Sequence, residues 1–196
     1  TVPDPTTRQD ALAILRKYKF DLPRHVWAFL ETDAAETPKP GDPRFANVRT
    51  EMIAAPAQSL AAAAKIAGEA GYRVIDLGDR IEGEARDVAR EQAAQALATK
   101  GPAVILSGGE TTVTLMGKGR GGRNAEYALA LAIALGGRAC ISAIAGDTDG
   151  IDGSEDNAGA LVMPDTLARA KAKGIDAAAY LANNDAYSFF ASIGDL

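Results

Sequence analysis

One cysteine, one histidine and no excess of basic residues leave the chain short of several chemistries. A lone cysteine, Cys140, forms no intrachain disulfide. Its place in the apolar run Ala139-Cys-Ile-Ser-Ala-Ile144 predicts a small buried side chain rather than a catalytic thiol. The only histidine, His25, lies beside Val26 and Trp27 with no serine or cysteine partner at a recognisable spacing, and it reads as structural. There is no run of about 18 apolar residues and no basic-then-apolar leader, so neither a membrane span nor a secretory signal is visible. The chain reads as soluble and cytoplasmic. With 21 Lys and Arg against 26 Asp and Glu, the formal net charge of -5 argues against a general nucleic-acid surface. Local basic clusters remain able to receive an anionic ligand.

The apolar content, 47%, is that of an ordinary globular protein, and 196 residues suffice for one domain or two small ones. The chain opens at Thr1 without a methionine and stops at Leu196 within an apolar stretch, so both ends read as cut. Residues 1–50 form a Pro-rich connecting arm. Six of the nine prolines fall before Phe45 and impose extended or turning backbone around short helices at Arg8 to about Lys19 and near Arg24 to Leu30. Residues 51–100 read as a βαβα segment. Its strands are Met52-Ile-Ala-Ala55 and Tyr72 to Leu77, and its helices Gln58 to Glu69 and Glu84 to Leu97. From residue 101 the pattern continues with strands at Ala103 to Leu106, Thr111 to Met116, Ala139 to Ile144 and Ala160 to Met163. Helices are expected at Asn124 to Leu135, Thr166 to Lys173 and Ala177 to Phe190. Strands alternating with helices of this length predict an α/β fold: a mostly parallel sheet with helices on both faces, Rossmann-like.

Ligands of such sheets bind beyond the carboxyl ends of the strands, which selects three turns. Ser107-Gly-Gly-Glu110 either presents backbone N–H groups to an anion or is a tight turn whose glycines serve positive φ. Gly117-Lys-Gly-Arg-Gly-Gly-Arg-Asn124 interleaves four glycines with Lys118, Arg120 and Arg123 immediately before a helix. Backbone donors, the positive end of the helix dipole and guanidinium groups would converge there on phosphate or carboxylate. The alternative is a solvated basic loop, with Asn124 as N-cap and Glu126 as a first-turn carboxylate. It is neither a P-loop nor a dinucleotide fingerprint. The segment Ala145 to Asp156 carries Asp147, Asp149, Asp152, Glu155 and Asp156. It reads either as a hard-oxygen site for magnesium with nucleotide phosphates or as a turn-rich surface loop; an EF-hand is excluded. Asp76, Asp79, Glu82 and Glu84 face the same edge, as caps or as ligand contacts.

Six motifs, taken in order, resemble the signatures of bacterial glycerate 2-kinases, whose end domain is called MOFRL. They are Thr1-Val-Pro-Asp-Pro-Thr-Thr7, Glu36-Thr-Pro-Lys-Pro-Gly-Asp-Pro43, Gly83-Glu-Ala-Arg86, Ser107-Gly-Gly-Glu-Thr-Thr-Val-Thr114, Gly119-Arg-Gly-Gly-Arg-Asn-Ala-Glu126 and Gly146-Asp-Thr-Asp-Gly-Ile-Asp-Gly153. The resemblance covers nearly the whole chain. It implies that the chain is the carboxy-terminal part of a two-domain enzyme, with residues 101–196 a MOFRL-type domain truncated at its end and the amino-terminal domain absent. The implied reaction is transfer of the γ-phosphoryl group of ATP to the 2-hydroxyl of D-glycerate, with magnesium as the metal. Some relatives are instead labelled hydroxypyruvate reductases, which would use NAD(P)H. The implied partners are D-glycerate, the nucleotide, the missing domain and a second copy in a homodimer, with neither nucleic acid nor membrane. One departure stands: where the family shows a Ser-Asn pair after the strand at Met52, this chain has Ala55-Pro56.

Residue roles follow from the resemblance together with the need of phosphoryl transfer for positioning and charge neutralisation. Arg123 is the candidate for the transferring phosphoryl group or the glycerate carboxylate, and Ser107, Gly108 and Gly109 for cradling phosphate. Lys118 and Arg120, with Gly121, Gly122 and Asn124, face the same anion. Glu110 would orient a basic group. Asp147 and Asp149 would face magnesium or accept the hydroxyl proton.

Overall fold

The structure is a computed structural model and describes residues 2–196. The chain divides into two compact units, one ending at Ile53 and the other spanning Ala54–Leu196.

The first unit holds helices α1 (Arg8–Lys17) and α2 (Arg24–Leu30) and two single 3₁₀ turns. A capping box starts α1: the Thr7 hydroxyl accepts from the Asp10 N–H, while the Asp10 carboxylate accepts from the Thr7 N–H at 2.8 Å. Arg8 then fastens α1 to the segment after α2, donating to the Glu31 carbonyl at 2.8 Å and to Asp33 at 2.9 Å. Leu12 is the unit's one buried apolar residue among those described.

In the second unit, α3 (Pro56–Glu69) is followed by β1 (Arg73–Asp76), β2 (Ile81–Glu84), α4 (Ala85–Ala98), β3 (Ala103–Leu106) and β4 (Gly109–Thr112). Then come α5 (Arg123–Leu135), β5 (Ala143–Gly146), β6 (Gly159–Val162), α6 (Thr166–Ala172), α7 (Ala177–Ala182) and α8 (Ala186–Ile193). Helix α5 is apolar on nearly every side and therefore lies at the centre. Small side chains on α4, Ala85, Ala89 and Ala93, let that helix come close. Ala160 and Val162 of β6 cover another side, and Phe189 and Phe190 of α8 are fully buried with their rings edge to face at 5.1 Å.

The α/β class holds, but the expected single sheet covered on both faces does not form. Among the described residues the strands make three two-stranded ladders: β1 with β3 and β2 with β4 in parallel, and β5 with β6 antiparallel. Strand β2 was not expected, because Ile81-Glu-Gly-Glu84 has little intrinsic β preference and is set by its pairing with β4. The strand expected at Met52 to Ala55 is absent. Pro56 opens α3 instead, at a helical position that needs no N–H, and the Gln58 side chain accepts from the Ala55 N–H at 3.2 Å. Only Ala143 and Ile144 of the run from Ala139 are in strand β5. Gly136 and Gly137 end α5 in left-handed conformations, and the turn that follows places Cys140 at φ 67° and exposed rather than buried. The helix expected over Ala177 to Phe190 is two helices, broken where Asn184 adopts φ 53°.

Candidate active site

Helix α5 starts with four unpaired N–H groups, as any helix does. Two of them are met from a distant loop. The Asp152 carboxylate, fully buried, accepts from the Asn124 N–H at 2.9 Å, from the Ala125 N–H at 2.7 Å and from Asn124 Nδ2 at 3.2 Å. Its negative charge sits at the positive end of the helix dipole. The backbone residue facing it is Gly122, where a Cβ would overlap the carboxylate. Asn124 is thus not the N-cap; it lies in the first turn, and its side chain bridges Asp152 and Asp147, each at 3.2 Å. The anion expected at this helix terminus is the chain's own carboxylate.

Arg123 is the first residue of α5 and projects its guanidinium beside that capped end. Nη2 donates to both oxygens of Asp147 at 3.2 and 3.0 Å, and Nη1 pairs with Glu110. The two partners differ in exposure: the Asp147 side chain is 14% accessible and Glu110 68%. Burial works against the charged guanidinium. The hydrogen bond and charge of Asp147, with Glu110 and Asp152 behind them, outweigh it and raise the Arg123 pKa above its ordinary value. A permanently charged fork is held on one side by an enclosed carboxylate and on the other by Glu110, whose own side chain is open to solvent.

The remaining predicted residues divide. Glu110 and Asp147 join Arg123 and Asn124 in this cluster. Gly108 gives its N–H to the Gly78 carbonyl at 2.8 Å and Gly109 pairs with Ile81 in the β2–β4 ladder, so both serve the strands. The Ser107 hydroxyl donates to Gln92 at 3.3 Å, and Gln92 also accepts from the Tyr127 hydroxyl at 2.5 Å. Burial pushes the Tyr127 phenol up to about 12. Arg120 lies over the Tyr187 ring at 4.9 Å and pairs with Glu155 at 3.2 Å. The Lys118 side chain is exposed and has no hydrogen-bond or ion-pair partner among the described residues, and the same is true of Asp149. Gly121 packs against the Tyr187 backbone. Asp76 accepts from the Gly78 N–H at 2.8 Å, and Glu84 from Thr114.

Sequence reading missed Asp152 as the cap, because five acidic residues in one loop carry no mark of which will be buried. It also missed Glu126, 2% accessible, which takes Arg86 at 2.5 Å and Asn184 at 3.0 Å. A signal was present for Glu126, a charged residue inside a helix whose later positions are all apolar except Tyr127. A cleft of about 450 Å³ lies between the β1–β2 turn, β2 and α4, lined by Leu77, Arg80, Ile81, Glu82, Glu91 and Gln92 among others; of the residues singled out in the sequence it includes Glu82 but none of those around Arg123. Among the described residues no three His, Cys, Asp or Glu side chains converge as a metal site, and no helix is long and apolar enough to cross a membrane.

An α/β unit whose central helix presents an arginine held between two carboxylates is the class that fold and site define. The particular family follows from comparison. Residues 103–196 match the MOFRL family, and over its length the chain is similar to proteins named glycerate kinase and hydroxypyruvate reductase. It is 51% identical over its whole length to a protein named "Putative hydroxypyruvate reductase" from Agrobacterium vitis, covering 46% of it. It is 36% identical over 99% of its length to a "D-glycerate 2-kinase" from Thermotoga maritima, again covering 46%. The crystal structure of a glycerate kinase from Thermotoga maritima superposes with a TM-score of 0.78 at 36% identity, over 99% of this chain and 47% of that one. The chain therefore spans about half the length of the curated relatives it matches.

Proposed function

We propose that this chain supplies one wall of the active site of an ATP-dependent glycerate 2-kinase, which transfers the γ-phosphoryl group of ATP to the 2-hydroxyl of D-glycerate. The observation that carries the reading is Arg123, fixed by the enclosed Asp147 and paired on its other side with the solvent-open Glu110, which an incoming anion would displace. Phosphoryl transfer asks the protein for positioning and for neutralisation of charge, and a preorganised guanidinium provides both. With the N-terminus of α5 filled by Asp152, the anion-facing group is this side chain rather than the helix backbone. Lys118 and Arg120 add positive charge on the preceding loop.

Magnesium, in this reading, enters on the nucleotide phosphates. Such an ion keeps several waters and takes one or two protein carboxylates rather than a closed cage, and no cluster of three ligands is needed among the described residues. Asp149 is free to approach it, whereas Asp147 is engaged by Arg123 and Asn124.

The reductase reading has its own support, since the 51% identical relative carries that name. A dinucleotide fold, however, seats the pyrophosphate on a helix N-terminus behind a glycine turn. Here residues 113–122 separate strand β4 from α5, too long for that tight turn, and the terminus holds Asp152. Titration of Mg-ATP and D-glycerate against NADH and hydroxypyruvate separates the two: binding of NADH without Mg-ATP sinks the kinase proposal, and binding of neither favours a non-catalytic anion-binding domain. The chain alone is expected to release no measurable ADP with D-glycerate. Two reactants lacking the opposing wall forfeit an effective-molarity contribution of roughly 7–11 kcal/mol. Turnover by this chain within tenfold of a full-length relative would overturn that expectation.

A further inference from the structure

Five successive backbone N–H groups, Met116 to Arg120, all donate to the three-residue turn between α7 and α8. Met116 and Gly117 donate to Asn184 Oδ1 at 2.8 and 2.9 Å. Lys118 donates to Asn183 Oδ1 at 3.2 Å, Gly119 to the Asn183 carbonyl at 2.9 Å, and Arg120 to Asp185 Oδ1 at 3.0 Å. The Tyr187 N–H returns to the Arg120 carbonyl at 3.0 Å. Left free, such a run of amides would be a nest for an anion. Satisfied by the turn, it becomes a fixed rail. The approach is close enough that a Cβ on Gly117 would overlap the Asn183 backbone.

Asn184 is the hub. It is 4% accessible and holds the left-handed conformation that asparagine tolerates better than most residues. Its Nδ2 donates to both oxygens of Glu126 at 3.0 and 3.2 Å, and Glu126 in turn accepts from Arg86 Nε at 2.5 Å. Arg86 also donates to the Leu181 carbonyl at 2.9 Å, at the end of α7. Because an ionised carboxylate only accepts, Glu126 obliges the Asn184 amide to turn its NH₂ inward and its oxygen toward the loop. A buried charge on α5 thereby sets the orientation of the group that holds Met116 and Gly117.

We infer that the Asn183-Asn184-Asp185 turn is the positioning element of the basic loop, fixing the backbone from which Lys118, Arg120 and then Arg123 reach an anionic ligand. The identity of that ligand as Mg-ATP rests on the kinase reading; the clasp does not. The test uses the intact chain, with amide hydrogen exchange of residues 116–120 and calorimetric affinity for Mg-ATP as joint readouts. Asn184→Asp sets a carboxylate against Glu126 and removes the inward donor. It should speed exchange at Met116 to Arg120 and weaken Mg-ATP, each by about tenfold, the size of one lost hydrogen bond to a charged group. The amides of α5 and β6 should keep their protection. Adding Glu126→Gln returns a donor opposite the new carboxylate and should restore most of both effects, which a generally weakened fold would not do. If Asn184→Asp fails to fold, Asn184→Gly keeps the left-handed backbone, deletes the side chain and takes its place in both readouts.

Unchanged exchange in the loop overturns the inference. So does a loosened loop that binds Mg-ATP as tightly as before, or a folded double variant in which neither readout recovers. If the unsubstituted chain binds no Mg-ATP, the kinase reading falls. The positioning role then falls too, unless inorganic pyrophosphate binds and shows the same dependence on Asn184.

Discussion

Replacing Asp152 with alanine removes a carboxylate that is wholly buried and accepts two backbone N–H groups of α5. Hydrogen bonds to a charged group contribute about 1.5–3 kcal/mol each, and loss of an ordinary N-cap costs about 0.5–2 kcal/mol. Neither N–H has another acceptor in this packing, so relaxation recovers little, and the lower end of the two-bond sum gives about 3 kcal/mol. For a chain of this size each kcal/mol is worth roughly 2–4 °C in Tm, so the midpoint should fall by roughly 6–12 °C. Asp152→Asn keeps one accepting oxygen and loses the charge, and should cost about half as much. Thermal and urea unfolding followed by circular dichroism measure both variants. An alanine variant within about 1 kcal/mol of the parent would mean that solvent or another residue caps α5, and the account of a self-filled helix terminus would fail.

In a full-length enzyme containing this chain, Arg123→Ala should lower kcat by a factor on the order of 100 or more with little loss of folding; near-normal turnover removes Arg123 from the mechanism. Asp149→Asn should raise the magnesium concentration needed for half-maximal activity, while Asp147→Asn should also lower kcat because it releases Arg123; unchanged metal titrations in both leave the acidic loop structural. Tyr127, with its pKa raised from 10.0 to about 12, favours the protonated phenol in the folded state. The stability it contributes is complete below pH about 10 and is lost as pH rises toward about 12. Tyr127→Phe should therefore flatten the alkaline limb of the unfolding curve. An identical limb would show that another group causes it. Arg169→Ala leaves the buried Asp195 without its 2.5 Å partner and should destabilise the chain by about 2–3 kcal/mol, read by urea unfolding; a smaller loss would show that Thr166 alone satisfies that carboxylate.

Most helices were legible in the sequence because they carry their own signals, the break between α7 and α8 excepted. Thr7 and Asp10 mark the start of α1, the apolar periodicity runs through α4 and α5, and Gly136 ends α5. The strands were less so. Four-residue strands leave periodicity almost nothing to act on, and Ile81 to Glu84 becomes a strand only because β4 lies beside it. The candidate site was half visible. Arg123, Glu110, Asp147 and Asn124 were singled out by type and position, and they meet. What could not be read was which loop amides remain free. Asn183 to Asp185 lie more than sixty residues beyond the loop they satisfy, and the sequence read as uninterrupted helix there.

The pairing of β1 with β3 and of β2 with β4 bears on how this unit is built over time. The partners in both ladders are separated by about thirty residues and share the single crossover helix α4, so neither ladder can zip as a hairpin from a local turn. Both must wait for the same chain closure, and once it occurs they form together, since the Gly78 carbonyl and Gly108 N–H bond joins the end of one ladder to the start of the other. Folding of this region should be slow relative to its helix content and all-or-none across Arg73 to Thr112, with the lone β5–β6 hairpin able to form independently of it.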